Sequence, residues 1–334
     1  MDVFREKLLF FSIVVITAIV YIPDFTNGAQ VVVDDDGQRI VIEKPFSRII
    51  SLYPAHTENL YYLGLERKII GVGRADDFPP QVKSKPVFSY HDDPERFIAA
   101  GPDLVLIRPM IARGYPHLVE KLREAKIVVA SLQPKGPEEM FGYWLKLGLL
   151  TGKEKEARKM VKKFRHELTK IEKCVGVIPV HQRKRVYFES IHTRMKTFAP
   201  RSIPIFALTK AGGINVASDA IRVRNTNIAQ YGKERIIAKG HIIDFFLAQQ
   251  GAMNRVTIEQ IRKESGFMAI KAVREGKIFL LPEAIVSRPT MRLLEGIRKI
   301  AGILYPDSFC HGIKRPEAME RAFKRRGNYH VQTR

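Results

Sequence analysis

Short apolar runs that suit β-strands alternate with helical patterns along most of the chain, and this alternation limits the fold more than any other feature. In the first half, about residues 30–151, such runs and patterns follow one another regularly. This order favours a mostly parallel sheet with helices on both faces. The predicted strands span 40–43, 48–53, 69–73, 86–89, 103–107 and 127–132, and the predicted helices span 55–64, 94–100, 115–125 and 137–151.

Residues 152–173, "GKEKEARKMVKKFRHELTKIEK", interrupt the alternation. Apolar side chains recur there at spacings of three and four between charged residues, which predicts a long amphipathic helix with one narrow apolar stripe. The acidic residues among the lysines favour a solvated helix linking two domains over a coiled coil or a membrane-surface helix. The stripe consists of Ala157, Val161, Phe164, Leu168 and Ile171.

Alternation returns in the second half, about residues 176–305, with predicted strands at 185–189, 242–247 and 277–281 and helices at 203–211, 257–264 and 290–305. "ERFIAAGPDLVL" begins at Glu95 and "ERIIAKGHIIDFF" begins at Glu234; both segments predict a short helix, a glycine stop and a strand. The sequence therefore predicts two doubly wound α/β lobes joined by a linker helix at 152–175, with a ligand cleft between the lobes.

The N-terminal segment, residues 1–29, has the layout of a secretory signal peptide. Two basic residues, Arg5 and Lys7, precede an apolar stretch at 8–22, and small residues follow. That stretch is short for a membrane span, which needs about 20 apolar residues. We therefore expect export across the inner membrane to the periplasm, with an uncleaved N-terminal anchor as the alternative. A basic tail is expected at 306–334.

The composition limits the classes of partner that the protein is expected to bind. A net charge of +21 points to nucleic acid, an anionic membrane or an anionic small ligand. No nucleic-acid-reading motif is present, so no nucleic-acid partner is expected. The sequence also lacks a nucleophile elbow, a phosphate loop and the histidine pair of zinc proteases, and we expect no enzyme, catalytic residue, resident metal or cofactor. Trp144 is expected in the core, and Cys174 and Cys310 are either bridged or free thiols.

Polar and aromatic side chains follow several predicted strands at their carboxyl ends. In open α/β sheets ligands bind at that edge, so these side chains are candidate ligand contacts. Several are arginines, whose forked donors suit an anionic, planar or oxygen-rich ligand. The candidates are Tyr53, His56, Tyr90, His91, Arg108 and Arg113 in the first half, and Arg194, Arg201, Arg222 and Arg288 in the second.

Four segments carry a family resemblance: "RIISLYPAHTENLYYLGLERKIIGVG", "ERFIAAGPDLVL", and "AIKAVREGKIFLLP" followed by "RLLEGIRKIAGILYP". In this order they resemble the substrate-binding proteins of class III ABC importers, over about residues 38–306. That family captures ferric siderophores, haem and vitamin B12. The resemblance implies non-covalent capture between lobes and delivery to a permease dimer with its ATPase. It further implies that Glu95 and Glu234 dock onto the permease, although both also suit the start of a helix.

The ligand remains open at this stage. The loop Tyr53–Glu58 and the region of Tyr90 and His91 differ from vitamin B12 binders, and the positive charge favours an anionic ferric chelate or haem over a corrinoid. Two alternatives are a membrane-tethered sensor and a binder of a free transition metal. The latter would use histidines, for which His56, His91, His192 and His241 are available. We expect a monomer.

Overall fold

Two α/β lobes joined by one long helix form the protein, which confirms the predicted fold class. The computed structural model describes residues 30–224 and 226–306. The predicted signal segment, Cys310 and nearly all of the basic tail therefore lie outside the described residues. Within the described ranges, no helix combines the length and the apolar character needed to cross a membrane.

The N-terminal lobe begins with an antiparallel hairpin of β1 (Gln30–Val33) and β2 (Arg39–Ile42). Its main sheet is entirely parallel, in the order β5-β4-β3-β6-β7. The strands are β3 (Ile49–Ser51), β4 (Ile69–Gly73), β5 (Val87–Phe88), β6 (Leu104–Ile107) and β7 (Val128–Ser131). The helices are α1 (Pro54–Tyr62), α2 (Pro94–Ala100), α3 (Pro109–Gly114), α4 (Pro116–Glu124) and α5 (Pro137–Thr151).

The long connecting helix is α6 (Glu154–Gly176). Its predicted stripe faces the interior, since Ala157, Phe164 and Ile171 have no exposed surface. The core that contains this stripe also contains side chains from both lobes, so the helix fixes the lobes through shared apolar packing. Cys174, near the end of α6, is disulfide-bonded.

The C-terminal lobe has a mixed sheet in the order β11-β12-β9-β8-β13-β14, with β10 also paired to β8. β8, β10, β13 and β14 are parallel, whereas β9, β11 and β12 are antiparallel. The strands are β8 (Arg185–Ile191), β9 (Lys196–Phe198), β10 (Ile214–Asn215), β11 (Ile221–Arg222), β12 (Ile228–Gln230), β13 (Phe245–Gln250) and β14 (Ile278–Pro282). The helices are α7 (Ile203–Lys210), α8 (Lys233–Ala238), α9 (Ile258–Lys263), α10 (Lys271–Arg274), α11 (Glu283–Val286) and α12 (Leu293–Leu304).

Two sequence predictions differ from this lobe. The strand predicted from residue 242 begins at Phe245, because Gly240–Ile242 form a single 3₁₀ turn before it. The short antiparallel strands were not predicted at all, since two or three residues are too few to show a period.

A second connection joins the lobes beside α6. The carbonyl oxygen of Pro289, between α11 and α12, accepts hydrogen bonds from Asn59 Nδ2 at 3.1 Å and from Trp144 Nε1 at 2.9 Å. Both donors belong to the N-terminal lobe. Trp144 is fully buried, as predicted, and its indole N–H is satisfied by this contact between lobes.

Candidate ligand-binding cleft

The strand order of the N-terminal lobe places a crevice between β3 and β6. The chain moves from β3 through β4 to β5 on one side, then crosses back to β6 and β7 on the other. The point where the order reverses is where open α/β sheets bind ligands, outside the carboxyl ends of the strands. Tyr53 follows β3 and Arg108 follows β6 at this point.

Local sequence fixes both side chains. Each precedes a proline that starts a helix, Pro54 of α1 and Pro109 of α3. A residue before proline is held extended, and proline at the first helical position is favourable. The Arg108 guanidinium lies 4.5 Å from the centre of the Tyr53 ring, a cation–π contact. Burial raises the pKa of the Tyr53 hydroxyl, so this group stays neutral at ordinary pH.

Both lobes line the cleft, which has a volume of about 300 Å³. The N-terminal lobe contributes the ends of β3, β6 and β7 and the turn of the first hairpin. The C-terminal lobe contributes the turn between β11 and β12 and the ends of β9, β13 and β14. Polar and charged lining residues are Asp35, Tyr53, Arg108, Arg113, Gln133, Lys135, Arg224, Thr226, Asn227, Gln249, Glu283 and Ser287; the apolar ones include Met110, Phe198, Ile228 and Met253.

The cleft has an excess of positive charge. Its cationic side chains are Arg108, Arg113, Lys135 and Arg224, and none of the four forms an ion pair with another described residue. Of the two carboxylates, Asp35 is paired with Lys146 at 3.2 Å. In addition, Arg108 Nε is buried without a hydrogen-bond partner among the described residues. A buried, unpartnered donor of this kind is costly unless a ligand satisfies it.

Three of the ten candidate contacts therefore line the cleft: Tyr53, Arg108 and Arg113. His56 lies in the first turn of α1 but has no exposed surface. Its Nδ1 is 2.7 Å from the Tyr143 hydroxyl and its Nε2 is 3.1 Å from the Ile107 carbonyl oxygen. Burial lowers the pKa of His56 to about 4, so it is a neutral core residue whose two ring nitrogens already have protein partners.

Tyr90 and His91 form an aromatic cluster with Tyr115 instead of lining the cleft. The ring centres of Tyr90 and Tyr115 are 4.8 Å apart, and those of His91 and Tyr115 are 4.9 Å apart. The Tyr115 hydroxyl lies 3.2 Å from His91 Nδ1. This cluster stands beside the segment that carries Arg113.

Of the candidate arginines in the C-terminal lobe, some are exposed to solvent and others are held by hydrogen bonds within the protein. Arg194 is exposed and does not line the cleft. Arg201 is exposed too, and its carbonyl oxygen lies only 2.8 Å from the place where a Cβ at Gly136 would be, so a glycine there permits this contact between lobes. Arg222 donates to the carbonyl oxygens of Thr226 at 3.1 Å and Pro200 at 3.0 Å. It thus holds the turn that presents Arg224 to the cleft.

Arg288 is buried in the connection between lobes. Its Nη1 donates to Glu58 Oε1 at 2.9 Å and to Asp77 Oδ1 at 3.0 Å, and both acceptors belong to the N-terminal lobe. With its charge already paired through Nη1, Arg288 ties the lobes together, while its Nε is buried without a hydrogen-bond partner among the described residues.

Asp76 lies beside this connection and responds to pH. Its Oδ2 accepts the Gly73 N–H at 2.5 Å, and burial raises the pKa of the carboxyl to about 7. The unfolded chain loses this proton near pH 4, whereas the folded protein keeps it until about pH 7. The contribution of Asp76 to the free energy of unfolding is therefore largest at low pH and is lost as the pH rises through about 7.

Asp76→Asn is expected to remove this dependence, because asparagine stays neutral and keeps an oxygen for the Gly73 N–H. Between pH 5 and pH 8 the stability of the wild type should fall by roughly 2–3 kcal/mol relative to the variant. Denaturant unfolding of both proteins at the two pH values measures the difference. The exposed Asp93→Asn variant is the control, and an equal difference at both pH values would contradict the assignment.

The remaining histidine candidates do not converge. His241 lies in the 3₁₀ turn before β13, and His192 pairs with the buried Glu189 at 3.0 Å, a contact that raises the pKa of His192. No group of three or more potential metal ligands is found within residues 30–224 and 226–306. Glu95 and Glu234 occupy the first turns of α2 and α8, and both side chains are exposed.

Several residues that line the cleft were not predicted from the sequence, and a sequence pattern marks only some of them. Gln133 and Lys135 follow β7 and precede Pro137, which repeats the strand-then-proline pattern of Tyr53 and Arg108. That pattern could have identified them. Asn227 and Ile228 lie on a hairpin formed by unpredicted antiparallel strands, so nothing in the sequence marked them.

Comparison with known proteins agrees with this architecture. Residues 49–285 match the periplasmic binding protein family. An uncharacterized ABC transporter substrate-binding lipoprotein of Bacillus subtilis (strain 168), YvrC, is 26% identical over 85% of this chain and 88% of its own length. A vitamin B12-binding protein of Vibrio cholerae (strain ATCC 39541 / Classical Ogawa 395 / O395) is 23% identical over 79% of this chain and 92% of its own.

Among solved structures, a possible iron-binding (periplasmic solute-binding) protein of Staphylococcus epidermidis ATCC 12228 has a TM-score of 0.67 and 28% identity. The alignment covers 78% of this chain and the whole of that one. All three relatives are described as binding proteins, one of them as a lipoprotein and one as periplasmic. Because the family match spans most of the chain, including most of the strands and turns that build the cleft, the protein belongs to the periplasmic binding protein family.

Proposed function

We propose that this protein captures an anionic iron chelate, a ferric siderophore or haem, outside the cytoplasmic membrane and delivers it to the permease of an ABC importer. The observation that carries the proposal is the cleft at the strand switch point, which is lined by four cations without an ion pair to any described residue, one of them, Arg108, stacked on Tyr53. A volume of about 300 Å³ suits a small molecule. The Staphylococcus relative described as possibly iron-binding supports the choice of an iron ligand.

Arg108 is the proposed anchor for the ligand's negative charge. It is the cation at the switch point, its guanidinium is oriented by Tyr53, and its Nε has no partner among the described residues. A carboxylate or catecholate oxygen would complete its hydrogen bonding with a charge-assisted bond. Met110 and Met253, one from each lobe, offer exposed apolar surface for the flat or organic part of the chelate.

The test is a binding titration of the full chain, followed by protein fluorescence, with haem, ferric catecholate, ferric hydroxamate, ferric citrate and cobalamin. One iron chelate is expected to bind tightly at a one-to-one ratio. Arg108→Ala should weaken that binding about 10- to 100-fold, the loss of one hydrogen bond to a charged group. Arg194→Ala, which removes an exposed arginine outside the cleft, should bind as the wild type does.

A corrinoid is the second candidate, favoured by the relative named as a vitamin B12-binding protein. Cobalamin binding more tightly than every iron chelate, with little effect of Arg108→Ala, would replace the iron proposal. Binding of none of the five compounds would favour a signalling role for the cleft.

Docking onto the permease is assigned to Glu95 and Glu234. They are exposed carboxylates, one on each lobe, in corresponding positions of the repeated helix–glycine–strand segment. We further propose that the protein acts as a monomer, since each lobe then presents one carboxylate to a permease dimer.

A further inference from the structure

A second surface lies on the C-terminal lobe, away from the ligand cleft. The chain leaves α6 through the segment "VIPVHQRKR", residues 177–185, in which four apolar residues are followed, after His181 and Gln182, by three basic ones. Val177 and Val180 are 74% and 70% exposed, and among the described large apolar side chains only Ile221 is exposed to a similar extent. Most of the surface of these two valines is therefore not packed against any described residue.

This segment borders a groove of about 910 Å³ at the edge where the parallel strands of the lobe begin. Arg185 is the first residue of β8, and Lys277 directly precedes β14. The cleft, by contrast, uses the carboxyl ends of the same sheet through Gln249 and Glu283. The groove and the cleft therefore lie at opposite edges of the sheet.

The groove is cationic. Arg183, Lys184 and Arg185 form no ion pair with another described residue, and Arg183 Nε is buried without a partner there. Asp244, the acidic residue that lines the groove, forms an ion pair with Lys271 at 2.7 Å and accepts a hydrogen bond from the Arg185 backbone N–H at 2.9 Å. Lys277 is paired with Glu275 at 2.6 Å. Three consecutive cations beside the two exposed valines thus lack an ion-pair partner among the described residues.

We propose that the surface formed by residues 177–185 and this groove docks onto an anionic phospholipid membrane. Exposed apolar side chains next to lysine and arginine are what interfacial binding requires: the apolar groups enter the headgroup boundary and the cations meet anionic lipid. A second copy of this chain is disfavoured as the occupant, because it would oppose cation to cation.

Because the membrane contact is at the edge opposite the cleft, the protein can be held at a membrane while its cleft stays open to ligand. This inference does not depend on which ligand the cleft takes.

The test places a fluorescent probe in the segment. Trp144 is the one tryptophan of the chain and is fully buried, so a second tryptophan introduced by Val177→Trp reports the segment alone. The full-length variant is titrated with vesicles of phosphatidylglycerol or of phosphatidylcholine. The emission is expected to shift to the blue, and to be quenched by brominated lipid, only with phosphatidylglycerol. Val41→Trp, at an exposed valine of the N-terminal hairpin, should show no shift.

Charge removal completes the test in the Val177→Trp background. Arg183→Ala with Lys184→Ala and Arg185→Ala should raise the lipid concentration needed for half of the shift at least tenfold. The control removes three exposed cations from α6, Arg158, Lys159 and Lys162, and should leave the midpoint within twofold. No shift with phosphatidylglycerol overturns the proposal. If heparin retention alone falls in the triple variant, the surface binds a soluble polyanion instead.

Discussion

Replacing both Glu95 and Glu234 with alanine is expected to abolish uptake of the ligand by cells while leaving its affinity for the purified protein unchanged. The expected loss of transport is at least tenfold in the double variant and smaller in each single variant. Transport falls because the loaded protein no longer docks productively on the permease. Affinity is preserved because neither residue lines the cleft.

The charge environment of the two glutamates supports this role. Both lie in the first turn of a short helix, both are exposed, and neither forms an ion pair with a described residue. Their neighbours differ in this respect. Arg96 is paired with Asp92 at 2.5 Å, and Lys233 is paired with Glu264 at 2.6 Å. The carboxylates are thus free to meet basic groups of a partner, which steers association and fixes its register.

Uptake is measured with the radiolabelled ligand in cells that express the importer, and affinity is measured by titration of the purified variants. Glu138 and Glu259 provide a matched control, since they too are exposed glutamates in the first turns of helices, one on each lobe. Their double alanine variant should transport normally. Loss of ligand affinity in the Glu95 and Glu234 variant, or equal loss of transport in the control, would contradict docking.

The local part of the fold could be predicted from the sequence because it depends on short-range pattern. The bounds of β4, α2 and α5 were predicted to the residue, and the stripe of α6 was identified from its spacing. Tyr53 and Arg108 could be placed in the cleft because parallel strands share one edge for their carboxyl ends. The prolines that follow these two residues, Pro54 and Pro109, indicated where β3 and β6 end.

Prediction from the sequence was incomplete or wrong where the position of a side chain depends on residues that are distant along the chain. His56 follows a strand as Tyr53 does, yet one turn of helix directs it into the core, where Tyr143, 87 positions away, meets its ring. Arg288 and Glu58 are 230 positions apart, so their pairing has no local signature. The turn that carries Arg224 is built by strands of two or three residues, too short to show alternation.

Arg288→Ala is expected to destabilise the protein by about 3–5 kcal/mol, the usual cost of removing one partner of a buried ion pair. The side chains of Arg288 and Glu58 are only 9% and 3% exposed. Alanine at 288 would leave the Glu58 carboxylate buried near Arg292, whose guanidinium is 3.6 Å away and more exposed. Since the pair crosses between lobes, its loss also loosens the second connection beside α6.

Denaturant unfolding at neutral pH measures the loss, and a double variant separates charge from packing. Glu58→Gln with Arg288→Met removes both charges while keeping side-chain volume, so it should be more stable than Arg288→Ala, because no unpaired carboxylate remains. Arg194→Ala, at an exposed site, should change stability by less than about 0.5 kcal/mol.

A loss below about 1 kcal/mol in Arg288→Ala would mean that the pair is compensated, with Arg292 replacing Arg288. The Arg292→Ala variant tests this directly: alone it should cost little, because Arg288 already holds Glu58 at 2.9 Å. Combined with Arg288→Ala it should cost more than the two single changes together. An additive result would show that Arg292 does not support the connection, and that Arg288 alone neutralises the buried carboxylate between the lobes.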